Sequence, residues 1–216
     1  MRGVLFAGLL VCCAPPVVDV DADGCDPFVV DVVSFLPGSG AGFGADQMPE
    51  IVRGPPASEK DSQGSFDVVS LGSGGVITLE LGCPIIDGEG VDFIVYENAF
   101  FVAVPTEDNG LAEAVVFSEP GEVAVSADGE EFVAFPCTPS GQRDDGVNGC
   151  AGTAPVRANA RNGLAGDFED GGGDGFDLAA LDVDQARFVR ITDRSAGGGG
   201  DNAGFDLDAV AVVSRF

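Results

Sequence analysis

The chain has 216 residues, with 36 Asp and Glu against 10 Lys and Arg and a formal net charge of −26. That charge excludes nucleic acid and anionic membrane surfaces as partners, and an apolar fraction of 45% excludes disorder throughout. With no His and no Trp, a His-based triad, a His-ligated zinc and a His general base are excluded as well.

Residues 1–13, Met-Arg-Gly-Val-Leu-Phe-Ala-Gly-Leu-Leu-Val-Cys-Cys, place one positive charge before a short apolar run. The run falls below the roughly 20 residues of a membrane-spanning helix and fits an export leader. Its Leu-Leu-Val-Cys-Cys ending resembles the lipobox of bacterial lipoprotein leaders, with lipidation at Cys13 and Cys12 as the alternative. The reading is a lipoprotein-type signal peptide over 1–12, an acidic tether over 13–24 and a single domain over 25–216. Ala14 after the lipidated cysteine resembles the outer-membrane sorting pattern. The expected location is therefore the bacterial cell surface, with a lipid anchor in the outer membrane, and plain secretion is the alternative. In the tether, Asp19-x-Asp21-x-Asp23-Gly24 matches the first half of a calcium-binding EF loop. The twelfth position is Val30, which cannot give the bidentate carboxylate such a loop needs.

Of the six cysteines, four remain after Cys12 and Cys13. Cys137 and Cys150 bracket a loop-like stretch and are paired on that ground, leaving Cys25 with Cys83; an exported protein sits in an oxidising space that sustains both bridges.

From residue 28 onward, short runs rich in Val, Ile and Phe alternate with Gly, Asp and Pro clusters. Strands are expected over 28–35, 66–71, 75–81, 91–97, 113–118, 122–127, 131–135, 186–192 and 205–213. Turns are expected at Gly72-Ser73-Gly74-Gly75, Asp87-Gly88-Glu89-Gly90 and Asp128-Gly129. Only 178–186 has the pattern of a short helix. Residues 136–185 break the rhythm, and a stretch this long between strands is functional or disordered; the Cys137–Cys150 bridge argues for order in its first part. Within and after it, Gly175-Phe-Asp-Leu-Ala-Ala-Leu181 and Gly204-Phe-Asp-Leu-Asp-Ala-Val210 echo one another. Many short strands with regular turns give an all-β fold, an antiparallel β-sandwich.

Four ordered segments sharpen that fold. Ile77-Thr-Leu-Glu-Leu-Gly82, Val123-Ala-Val-Ser-Ala-Asp-Gly-Glu-Glu-Phe132, Ala186-Arg-Phe-Val-Arg-Ile191 and Phe205-Asp-Leu-Asp-Ala-Val-Ala-Val212 resemble the discoidin or galactose-binding-like jelly roll. With Val33-Ser-Phe-Leu-Pro-Gly-Ser-Gly40, Val69-Ser-Leu-Gly-Ser-Gly-Gly75, Asp92-Phe-Ile-Val-Tyr-Glu-Asn-Ala-Phe100 and Gly149-Cys-Ala-Gly-Thr-Ala-Pro-Val156, the chain over about 29–214 is similar to a family of bacterial cell-surface proteins and lipoproteins. The resemblance implies fold and compartment and carries no activity.

The chemistry rests on carboxylates. Asp206 and Asp208, two apart on a strand, lie on one face about 7 Å from each other and repel unless a cation intervenes. Phe93, Val95 and Glu97 share a face, which aligns Glu97 with core residues, and an unpaired buried carboxylate is costly. A structural calcium on Glu97, Asn98, Asp206 and Asp208 would satisfy all of them, because calcium takes six to eight oxygen ligands. The galactose-binding-like resemblance also implies a structural calcium. No G-x-S-x-G elbow, P-loop or dinucleotide fingerprint is present. The expected function is a non-catalytic surface binding or adhesion module for an extracellular glycan or protein. The alternative is an extracellular hydrolase, acting on glycosides or other polymers through paired carboxylates. A sugar platform favours Trp and Tyr, and Tyr96 is the only tyrosine.

Overall fold

Alternation of apolar and polar residues is clearest in Val76–Ile86, where Ile77, Leu79, Leu81, Cys83 and Ile85 are all buried. A period of two puts these side chains on one face of a strand, and that strand sits inside the larger sheet. The computed structural model describes residues 24–57, 64–104, 113–139, 149–195 and 203–213. Its strands are β1 (Val29–Leu36), β2 (Val69–Ser70), β3 (Val76–Ile86), β4 (Phe93–Glu97), β5 (Phe100–Val104), β6 (Glu113–Phe117), β7 (Gly121–Ser126), β8 (Val133–Ala134), β9 (Asp174–Phe176), β10 (Gln185–Asp193) and β11 (Asp206–Val212). The signal peptide, Cys12, Cys13 and the tether as far as Asp23 lie outside the described residues.

Two antiparallel sheets, β1-β3-β10-β7-β8 and β2-β11-β4-β9, form the body of the molecule. Their inner faces share one core. Ile77, Leu79, Leu81, Val123, Val125, Val189 and Ile191 come from the first sheet, and Val69, Phe93, Val95, Leu207 and Val210 from the second. The architecture is an antiparallel β-sandwich. The Phe176 ring packs 5.2 Å from Phe93 and 4.9 Å from Phe135, centroid to centroid, spacings at which aromatic pairs attract beyond simple area burial. β5 and β6 form a separate two-stranded hairpin. Both expected disulfides are present, Cys25–Cys83 and Cys137–Cys150.

The smaller sheet is covered on its outer face too. Along β4, Phe93 and Val95 face the main core, while Ile94 and Tyr96 join a second cluster with Phe28, Val156, Ala158, Ala209 and Ala211. The cover comes from residues 155–172, including the short helix α1 (Phe168–Gly171), whose first turn is capped by Asp167. The Tyr96 hydroxyl accepts a hydrogen bond from the Gly166 backbone N–H at 3.0 Å. Tyr96 is wholly buried, so it is not available as a sugar platform. This part of the long break in strand rhythm is therefore ordered cover.

Two local expectations change. The helix expected over 178–186 is a single 3-10 turn, Leu178–Leu181, and β10 begins at Gln185. Asp182 in a left-handed conformation, φ 54°, ends that turn. Two strands are additional: β5, which follows β4 after a two-residue break, and the three-residue β9. The echoing segments are not structural repeats. Gly175–Leu181 runs from β9 into the 3-10 turn, whereas Gly204–Val210 enters β11; the two strands flank β4 from opposite sides.

Candidate functional site

The register between β11 and β4 slips at one point. Leu207 pairs with Glu97 and Ala209 with Tyr96, so Asp208 is the extra residue of a β-bulge. The bulge falls on the second of the two aspartates singled out in the sequence, and they have different partners. Both Asp208 carboxylate oxygens accept from the Ala57 N–H, at 3.0 and 3.2 Å. The Asp206 carboxylate accepts from the Ser70 hydroxyl and from the Asn98 side chain. Asn98 Oδ1 in turn accepts from the Ser65 N–H, which holds the loop ahead of β2 against the end of β4.

Glu97 is 1% exposed. Its carboxylate accepts from the Asp206 backbone N–H, and its Oε2 is buried without a hydrogen-bond partner. Burial pushes Glu97 well above the usual carboxylate range, and the negative charges of Asp206, Glu119 and Asp174 push the same way. Burial also raises Glu119, to about 7, with Asp206 adding to the shift and a hydrogen bond from the Gly204 N–H opposing it. Asp206 is raised by burial against its bonds from Ser70 and Asn98. Asp208 is pushed up to about 7 by burial, against its bond from Ala57. None of the ion pairs among the described residues reaches this group; they join Arg53 to Asp31 and Glu50, Arg187 to Glu80, and Arg194 to Glu122.

Beside Glu119 and Asp206 lies an open cleft of about 410 Å³, lined also by Phe43, Phe66, Phe100, Phe117 and Asn98 among others. Phe66 is 89% exposed and Phe117 45%. The Phe100 and Phe117 rings pair across the β5–β6 hairpin with centroids 5.2 Å apart. No described residue lining the cleft is basic. Exposed aromatic walls beside carboxylates can bind a ligand with an apolar body and a polar or cationic end.

A second acidic grouping lies elsewhere. Oxygens of Asp87, Asp92 and Asp177 come within 4.8 Å of one another, the grouping among the described residues with metal-ligand spacing. Asp92 accepts from the Gly88 and Leu178 N–H groups and Asp177 from the Ala179 N–H. Those bonds close the β3–β4 turn onto the 3-10 turn at Leu178.

The structure thus places Glu97, Asn98 and Asp208 around one narrow crevice and bonds Asn98 to Asp206, while the Asp208 carboxylate also accepts from Ala57. Sequence reasoning missed Glu119 and the Phe43, Phe66 and Phe117 walls. The available signal was an acid directly before a Pro-Gly turn, Glu119-Pro120-Gly121, and a Phe in a Gly/Ser-rich stretch, Gly64-Ser65-Phe66. No family model and no curated protein matches the chain.

Proposed function

We propose that the chain is an exported, lipid-anchored cell-surface protein whose sandwich is a non-catalytic binding module, with the Phe-walled cleft as its ligand site. The observation that carries this is the cleft itself, where exposed rings meet Glu119 and Asp206, neither of them ion-paired among the described residues. Its volume lies in the range of ligand pockets. The two disulfides support an oxidising compartment, and the Leu-Leu-Val-Cys-Cys leader supports the anchor at Cys13. The resemblance to bacterial surface lipoproteins points the same way. A glycan and protein array, run with wild type and Phe66→Ala, tests the reading. Binding that weakens in the variant supports it, and an array silent for both proteins counts against it.

Structural calcium on Glu97, Asn98, Asp206 and Asp208 belongs to the same proposal, supported by the orphaned Glu97 Oε2. A ligand held only by the native state stabilises by RT ln(1 + [L]/Kd), about 2.7 kcal/mol at a hundredfold excess over Kd. Chelation at constant ionic strength is therefore expected to lower the melting temperature, more than removal of magnesium does. An unchanged melting curve with no calcium uptake by calorimetry rejects the ion.

The hydrolase alternative has one observation in its favour: Glu119, raised to about 7, shares the cleft with Asp206, and a proton donor beside a second carboxylate can serve acid–base chemistry. Turnover of an extracellular polymer that is lost in Glu119→Gln, with folding intact, would favour it.

A further inference from the structure

The cleft combines two features that a calcium site alone does not explain. Four phenylalanines wall it, one of them 89% exposed, and rings take no part in holding a hydrated metal ion. Large exposed apolar surface beside a cavity marks a binding site. At the end of those walls, Glu119 and Asp206 line the cleft, and Glu97 lines a narrow crevice that shares Gly64, Ser65 and Asn98 with it. None of the three carboxylates is paired with an Arg or Lys among the described residues, and Glu97 Oε2 is buried without a partner. An anionic ligand would meet like charge with no described basic residue to receive it. A neutral ligand would leave the Asp206 carboxylate without a cation once the cleft lost its water.

We propose that the cleft recognises an organic ammonium group on an apolar body. Phe43, Phe66, Phe100 and Phe117 take the body, and Glu119 and Asp206 take the cation. Both halves of the ligand then have a matched surface. Ring faces attract a cation electrostatically as well as burying hydrocarbon, and carboxylates accept charge-assisted hydrogen bonds from N⁺–H donors. Asn98 donates to Asp206 and accepts from Ser65, which fixes the Asp206 carboxylate in the cleft lining. The proposal rests on the cleft being the ligand site and names the class of ligand it takes.

Three probes of similar shape test it by calorimetry in calcium-free buffer at constant ionic strength: 2-phenylethylammonium, neutral 2-phenylethanol and anionic 3-phenylpropionate. The ammonium is expected to bind about tenfold or more tightly than the alcohol, and the carboxylate not to bind, as charged hydrogen bonds in a partly dry site imply. Asp206→Asn and Glu119→Gln are each expected to weaken the ammonium by a similar factor, with the alcohol little changed. Phe66→Ala is expected to weaken both. Melting curves check that each variant folds; because Phe66 is exposed, its truncation tests the wall even if an acid variant unfolds. Equal affinity for ammonium and alcohol, or ammonium binding indifferent to all three variants, overturns the proposal. If the ammonium fails while an array glycan binds in a Phe66-dependent way, the cleft survives as a ligand site and only the ammonium class is rejected. If no ligand depends on Phe66, the cleft reading falls too.

Discussion

Asp193 shows how much one buried carboxylate can organise. It is at the end of β10 and 3% exposed. Its Oδ2 accepts from the Gly74 N–H at 2.9 Å, and its Oδ1 from the Phe205 N–H and from the backbone and hydroxyl of Ser195. It therefore joins the β2–β3 turn to the entry of β11. Gly204 completes the junction: its φ is +81° and a Cβ there would stand 2.7 Å from the Gly72 carbonyl carbon, so only glycine fits. Asp193→Asn replaces one acceptor oxygen with an NH₂ group, so at least one of these N–H donors loses its charged acceptor. The expected loss is about 1–3 kcal/mol, read as a lower urea midpoint with unchanged slope. Asp208 makes a different prediction. Its folded value of about 7 lies above the ordinary 3.8, so the folded state binds this proton more tightly than the unfolded state. The stabilisation is full below pH 4 and lost as pH rises through 7, at no more than about 1.4 kcal/mol per pH unit. Glu119 is raised in the same direction, while repulsion within a chain of charge −26 also grows with pH. The Asp208 share is the difference between wild type and Asp208→Asn. In calcium-free buffer, urea midpoints from pH 4.5 to 7.5 are expected to fall less steeply in the variant; equal slopes would contradict it.

At the scale of elements, legibility followed periodicity. The start of β3 and most of β10 were readable, because a period of two needs no tertiary knowledge, although β3 runs on to Ile86 beyond the expected end at 81 and β10 carries a register shift between Ala186 and Phe188. Phe93-Ile-Val-Tyr96 is a continuous apolar run, the mark of a strand buried on both faces, yet what buries the second face was not readable. Val156, Ala158 and Leu164 are scattered through Gly, Asn and Asp without a period, and only the fold brings them onto Ile94 and Tyr96. β5 and β9 escaped for related reasons: β9 is three residues in a glycine-rich stretch, and Phe100-Phe101 follows β4 after a break too short to look like a turn. For the site, the burial of Glu97 was visible in its alignment with Phe93 and Val95. The different partners of Asp208 and Asp206 were not, because a bulge leaves no mark in a strand pattern. The bridges carry the prediction at this scale. Cys25–Cys83 spans 58 residues and Cys137–Cys150 spans 13. Loop-closure entropy assigns the first roughly 4 kcal/mol and the second roughly 3. Replacing Cys25 and Cys83 with Ser is expected to lower the urea midpoint more than replacing Cys137 and Cys150, and the reverse order would show that native-state packing outweighs chain entropy.

For the whole molecule, charge dominates: 36 acids face 10 bases, and the ion pairs among the described residues involve only three arginines. Salt shortens the screening length from about 10 Å at 0.1 M to about 3 Å at 1 M. The melting temperature is expected to rise over that range in sodium chloride with calcium absent; a fall would mean that favourable pairs outweigh the general repulsion. The sheets also differ from a simple stack in how they stop. The larger ends at β1 and β8, and the smaller at β2 and β9. β2 and β8 have two residues each and β9 has three, while β1 is broken by register shifts near Asp31 and Val32 and carries the Asp31–Arg53 ion pair. A foreign strand needs a long, flat row of unpaired N–H and C=O groups to dock on, and short or kinked edges deny it one. The same sandwich that packs apolar residues on both faces of β4 therefore offers little template for fibrils, and many copies can stand side by side without zipping together.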